Sequence, residues 1–204
     1  PKLTGLHCMS KSLSRLELLE GHEIDGINVN LGRHRYIPES VEIVYTPKIE
    51  DEAFKRFLLD NYDFDNDSFV SLAEAARVKS MIIPSEEYPR IVSLHGLEMF
   101  TSLISLNVSG QRMLPVLDLS RNRSLTSLVC DNTSLKFLDL SHCPALVSLY
   151  AQNTMLESLD LSANPNLKEA YLSHSPIKTL YITSAQKASL NLICDHDTEI
   201  IVVE

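Results

Sequence analysis

From Leu114 the chain repeats itself every 21 residues, and few folds can accommodate that period. Residues 114–134 read LPVLDLSRNRSLTSLVCDNTS, 135–155 read LKFLDLSHCPALVSLYAQNTM and 156–176 read LESLDLSANPNLKEAYLSHSP. Each line divides into an 11-residue half, LxxLDLSxNxx, and a 10-residue half, LxxLxCxNTx. In LxL the two leucines point to one side of a short strand and the residue between them to the other. A single turn has nothing to bury its leucines against, whereas stacked turns bury them against one another as a continuous core. Asn122 and Asn164 stand at the ninth position of their 11-residue halves. There a side-chain amide can satisfy backbone groups where the coil bends away from the strand. Cys143 holds that slot in the middle turn. A thiol is the weaker partner, so this bend is expected to be less well held.

This pattern resembles the leucine-rich-repeat family, and within it the bacterial class with nested 21-residue repeats found in secreted or surface proteins. IVSLHGLEMFTSLISLNVSG (91–110) is similar to the text that opens such arrays. The resemblance covers 91 to about 182, nearly half of the 204 residues. It implies an α/β solenoid, a right-handed coil of short parallel strands, in a secreted or cell-surface protein whose role is binding. Residues 177–204 start another turn and then lose the pattern; they read as a strand-rich cap that closes the stack.

Upstream, LTGLHCMSKS (3–12), LSRLELLEGHE (13–23) and IDGINVNLGR (24–33) fit degenerate versions of the same halves, although SKSLSRLELLEGHE (10–23) fits a short helix equally well. YIPESVEIVYTP (36–47) reads as an edge strand between Pro38 and Pro47. The expected organisation is a strand-rich segment over 1–48, a helical insert and linker over 49–90, and the array with its cap over 91–204.

The insert carries a second motif. IEDEAFKRFLLDNY (49–62) sets Phe54, Phe57 and Leu58 at helical spacing, and LAEAARVKSM (72–81) is rich in helix formers. Between them DFDNDSFVSLAE (63–74) matches an EF-hand loop, with oxygen ligands at positions 1, 3, 5, 7, 9 and 12. These are Asp63, Asp65, Asp67, the Phe69 carbonyl, Ser71 and Glu74, and Val70 is the apolar anchor. Four carboxylates on so short a loop repel one another unless a cation joins them. Position 6 departs from the pattern, since Ser68 stands where glycine usually supplies positive φ. The alternative is a metal-free loop in which Ser71 caps the second helix with Glu74 as its capping-box partner. A bound Ca2+ here is expected to brace the insert structurally, because a lone hand has no second hand to open against.

Side chains between the core leucines form columns on the outside of the coil. One column is Val129, Tyr150 and Tyr171; the other is Asp118, Asp139 and Asp160, continued by Tyr181. The tyrosines suit a contact platform for a protein or, alternatively, a carbohydrate, and also suit ordinary cross-strand packing. The aspartates suit a cation or a basic partner, or a merely solvated face. Cys130 and Cys143 fall on inward positions and read as small core residues rather than nucleophiles. CDHDTE (194–199) reads as a solvated turn. The sequence has no nucleophile motif, phosphate loop or metal-hydrolase pattern, so a non-enzymatic binding role is expected. A net charge of −9 without a basic run argues against nucleic acid or an anionic membrane as partner. No apolar stretch in the sequence approaches the roughly 20 residues of a membrane span. Because the chain starts at Pro1, an upstream segment is expected to have been removed, and whether that was a signal peptide or a lipid anchor stays open.

Overall fold

A computed structural model describes residues 46–204 in full and the backbone of 15–19 and 42–45. The chain divides into two compact units, residues 1–48 and 49–204. In the first, β1 (Arg15–Leu19) and β2 (Glu42–Thr46) pair in parallel, with Arg15 opposite Glu42. The strand expected within 36–47 is β2. The repeat halves proposed at 3–12 and 24–33 lie outside the described residues.

The second unit begins with α1 (Glu52–Tyr62), α2 (Leu72–Ala75) and β3 (Ser80–Ile82). Strands follow at β4 (Ser105–Asn107), β5 (Val116–Leu117), β6 (Ser127–Val129), β7 (Phe137–Leu138), β8 (Ser148–Tyr150), β9 (Ser158–Asp160), β10 (Glu169–Tyr171) and β11 (Thr179–Thr183). The chain closes with α3 (Ser184–Ser189), β12 (Asn191–Ile193) and β13 (Glu199–Val203). The 10-residue halves build one parallel sheet in the order β12-β10-β8-β6-β4-β3. The 11-residue halves build the other strand set, split into β5-β7 and β9-β11-β13. The unit is thus a parallel β-solenoid wound on a leucine-rich repeat.

Its core consists of columns that run through successive turns. Leu103, Leu125, Leu146 and Leu167 form one; Leu114, Leu135, Leu156 and Ile177 form another, all buried. Strand register places Leu106, Leu128, Leu149 and Ala170 side by side. Polar rungs hold the bends. Asn164 Nδ2 donates to the carbonyls of Leu140 and Cys143, both at 2.9 Å, and Asn122 Nδ2 to those of Leu97 and Phe100 at 3.4 and 3.0 Å. In the last turn Gln186 of α3 takes the same role, donating to Leu161 and Asn164 carbonyls at 2.7 and 3.0 Å. Cys143 reaches the equivalent carbonyls of Leu119 and Asn122 only at 3.9 and 3.7 Å. Cys143→Asn is therefore expected to raise stability by about 1 kcal/mol, the net worth of a buried hydrogen bond. A melting temperature that stays the same or falls would show that the slot is too tight for the amide.

The other bend of each turn needs left-handed backbone, and Gly110, Asn132, Asn153 and His174 supply it at φ 78°, 57°, 53° and 60°. Asparagine and histidine are among the side chains that tolerate this region best. The buried residue that follows ties the bend down: Thr133 Oγ1 donates to the Cys130 carbonyl at 2.8 Å, and Thr154 Oγ1 to that of Ala151 at 3.3 Å. The recurring Asn-Thr of the sequence is this turn.

One expectation is corrected. The helix anticipated over 72–81 is one turn long, ending at Ala75, and 80–82 is strand. Helix propensity yields there to pairing: Met81 sits opposite Leu106, and the chain joins the sheet as its first strand. Residues 177–204, read as a strand-rich cap, are strand-rich and continue the coil as a further turn. β12 pairs with β10 and β13 with β11, so Ile200 and Val202 fall in register with core Leu180 and Ile182. With nothing stacked on them they stay 42% and 38% exposed, where Leu180 and Ile182 are buried.

Candidate functional site

Asp51 sets the position of the helical insert. Its carboxylate caps α1 by accepting from Ala53 and Phe54 N–H through Oδ1, both at 3.0 Å. Through Oδ2 it accepts from Val92 and Ser93 at the entrance to the array, at 2.7 and 3.0 Å. α1 buries Phe54, Phe57 and Leu58, and Val70 of the following loop is buried too. In that loop Asn66 and Ser68 are left-handed, φ 59° and 68°. Asp63 accepts from the N–H groups of Asp67 and Ser68 at 3.1 and 2.9 Å, and Asp67 from Phe69 at 2.9 Å. Carboxylate oxygens of Asp63, Asp65 and Asp67 come within 4.8 Å of one another. Asp67 is held above the usual carboxylate range, by desolvation first and then by the charges of Asp65, Asp63 and Glu74.

Glu74 is held by the loop backbone beside that trio. Its Oε1 accepts from Phe64 N–H at 2.6 Å; its Oε2 accepts from Ser71 N–H at 2.9 Å and Ser71 Oγ–H at 3.0 Å. Ser71 Oγ in turn accepts from Glu74 N–H, which completes a capping box. Burial works against the charged form of Glu74, but these hydrogen bonds outweigh it and hold the carboxyl below its usual range. Three of the six anticipated ligands thus converge on one point, while Ser71 and Glu74 engage each other and the backbone. Three convergent carboxylates are the hard oxygen donors that Ca2+ takes. Full coordination would require Glu74 to exchange backbone partners for the metal.

On the six-stranded sheet, Val129, Tyr150 and Tyr171 stand side by side in the register of β6, β8 and β10. The two tyrosine rings stack with centroids 4.9 Å apart and planes 3° from parallel. Tyr150 Oη donates to Glu169 Oε1 at 3.1 Å, and that bond, ahead of desolvation, pushes the phenol pKa up. Asn191 Nδ2 donates to Tyr171 Oη at 3.4 Å. The same row continues to Ile193 in β12 and, beyond Asn107, to Ile82 in β3, both exposed.

On the opposite strand set, Asp118, Asp139 and Asp160 each turn one oxygen inward on the chain. Oδ1 accepts from the N–H of Ser120, Ser141 and Ser162 at 2.9, 2.9 and 2.8 Å. Hydrogen bonds from Ser120 and Ser141 hold Asp118 and Asp139 below the usual carboxylate range. The repeated Asp-Leu-Ser is first a turn former. Sequence reasoning missed Val116 and Phe137 on this side, 58% and 75% exposed and paired across β5 and β7. The x positions of LxxLDLS, where a large apolar residue has no reason to face water, carried that signal.

Cys130 and Cys143 are buried. Desolvation raises both thiols, Cys143 to about 11 and Cys130 further, so neither is a ready thiolate. CDHDTE forms the turn from β12 to β13, where Asp195 accepts from His174 N–H of the preceding turn at 3.1 Å.

No protein-family model and no curated protein matches the chain. Among solved structures it is similar to an internalin, inlF, of Listeria monocytogenes at 14% identity and a TM-score of 0.42, over 74% of this chain and 56% of that one. It is also similar to the functional domain of InlJ from Listeria monocytogenes, described as including a cysteine ladder, at 14% identity and a TM-score of 0.40, over 79% of this chain and 47% of that one. The chain spans about half the length of these structures. The solenoid assignment rests on the strand pairing described above.

Proposed function

We propose that this chain is a non-catalytic binding module of a secreted or cell-surface protein, and that it recognises a protein partner through the six-stranded sheet. The stacked Tyr150–Tyr171 pair carries this reading. It lies in a continuous row of Val129, Tyr150, Tyr171 and Ile193, an apolar strip on a surface of serine, asparagine and glutamate. Rigid paired strands hold the rings in place, so little side-chain entropy remains to be lost on binding. Ring geometry favours protein over sugar. Each tyrosine presents one face to the other ring, and the opposite faces look along the row toward Val129 and Ile193. A sugar stacks flat on an open aromatic face, whereas edges and hydroxyls suit the mixed contacts of a protein interface. No helix among the described residues is long and apolar enough to cross a membrane.

The test is capture from an extracellular protein mixture by the immobilised chain and by its Tyr150→Ala/Tyr171→Ala variant, with affinities then measured for whatever is retained. A partner whose binding falls by about tenfold or more in the variant is the expected result, since aromatic anchors dominate such interfaces. Equal retention by both forms overturns the assignment of the face. A tyrosine-dependent hit on a glycan array replaces protein by carbohydrate.

In the same reading Asp63, Asp65 and Asp67 take up Ca2+ with the Phe69 carbonyl, Ser71 and Glu74, and the ion braces the insert rather than switching it.

A further inference from the structure

We infer a second docking site, on the side of the solenoid away from the tyrosine row: a cleft between β7 and β9 that receives an arginine side chain of an extended polypeptide. Every neighbouring pair in the first sheet is joined by ladder bonds, but the second strand set is interrupted at one place, between β7 and β9. A cleft of about 310 Å³ lies at that gap. Leu138 and Leu159 form its floor, Phe137 and Tyr181 stand at its two sides, and Asp139 and Asp160 lie along it. Phe137 is the most exposed large apolar residue of the described chain, at 75%. Val116 lies beside it in the preceding turn, whereas Ser158 and Thr179 occupy the equivalent position in the next two.

Charge complementarity selects the occupant. Two carboxylates line the cleft and no lysine or arginine does. Their Oδ1 atoms are fixed by Ser141 and Ser162 N–H, which orients both carboxylates for a guest. A guest must therefore be cationic, flat enough to lie against aromatic rings, and carried on an apolar stem that covers the leucine floor. Guanidinium meets all three conditions: it is planar, weakly hydrated, able to stack on rings and to donate to two carboxylates at once. Ammonium is a compact, strongly hydrated charge and gains less from the rings. The site is independent of the tyrosine face, which lies on the other sheet.

The experiment is a titration of the isotopically labelled full chain with a capped peptide holding one arginine between leucines, and with its citrulline counterpart, followed by amide chemical shifts. Shifts are expected to gather at 137–139, 158–160 and 181. The citrulline peptide should bind about tenfold more weakly, since it keeps the shape and loses the charge. Asp139→Asn and Asp160→Asn should each weaken the arginine peptide several-fold while leaving the melting temperature nearly unchanged, because an asparagine side-chain oxygen still accepts the serine N–H. Phe137→Ser, which copies the next turn, should do the same. Equal binding of the two peptides, shifts that gather elsewhere, or no shifts at several millimolar peptide would overturn the assignment. So would loss of binding in the Tyr150→Ala/Tyr171→Ala variant, which would place the peptide on the other face.

Discussion

Asn164→Ala is expected to lower stability by about 1–3 kcal/mol, the net worth of two buried hydrogen bonds. The change removes the side-chain donor from the buried Leu140 and Cys143 carbonyls, which keep only the backbone N–H groups of Cys143 and Leu146. Each buried hydrogen bond lost is worth about 0.5–1.5 kcal/mol net. Part of the loss is offset, because Asn164 Oδ1 is itself buried without a partner among the described residues and disappears with the side chain. Asn122→Ala should cost less, since one of its two bonds is already stretched to 3.4 Å. Asn164→Asp should cost at least as much as alanine: a carboxylate cannot donate and would carry charge into the core. For a chain of this size a loss of about 1–3 kcal/mol lowers the melting temperature by roughly 2–12 °C. Because each turn of a solenoid touches only its neighbours, amide exchange should accelerate first in the turns on either side of 164, not uniformly. A drop below about 0.5 kcal/mol would mean that the backbone donors alone satisfy these carbonyls and that the rung is dispensable.

The same rung shows what the sequence makes legible. Position nine of the 11-residue half stood out because asparagine recurs there, and both the bonded carbonyls and the weaker contacts of Cys143 follow from side-chain chemistry alone. The turn in which the leucine pattern fades is legible only in part, for a related reason. Gln186 performs the asparagine role from a helix, one residue later than the 21-residue step predicts, and Ile200 and Val202 replace leucine in the core register. A pattern tied to leucine and fixed spacing is blind to both. Helix propensity likewise overstated α2, since no local property of 76–82 announces that Met81 will lie beside Leu106. On the candidate sites, the tyrosine neighbours were visible as a column because strand pairing preserves register. The β7–β9 gap was not, because it is a property of two turns together and neither half-repeat encodes it.

Calcium is expected to raise the stability of the second unit by about 1.5–2.5 kcal/mol when a chelator-treated sample is brought to about 10 mM, for a dissociation constant of roughly 0.1–1 mM. That corresponds to a rise in melting temperature of about 3–10 °C. The gain arises because Asp63, Asp65 and Asp67 are brought together with no ion-pair partner among the described residues, and a divalent ion converts their mutual repulsion into attraction. A weak, extracellular-type affinity follows from two features of the loop. Glu74 must surrender hydrogen bonds from Phe64 and Ser71 to turn toward the ion, and Ser68 holds φ 68° without the freedom of glycine. Ser68→Gly should therefore tighten binding by about 30-fold at most, since left-handed backbone costs a non-glycine residue about 1–2 kcal/mol. The double substitution Asp63→Asn/Asp65→Asn should abolish the calcium response while sparing the fold, because an amide oxygen in place of the Asp63 carboxylate still accepts a loop N–H. Magnesium should not replace calcium, since its smaller octahedral shell suits the loop less well. If melting and the amide signals of 63–74 are the same in chelator and in calcium, the capping box is the loop's whole purpose and Glu74 serves α2 alone.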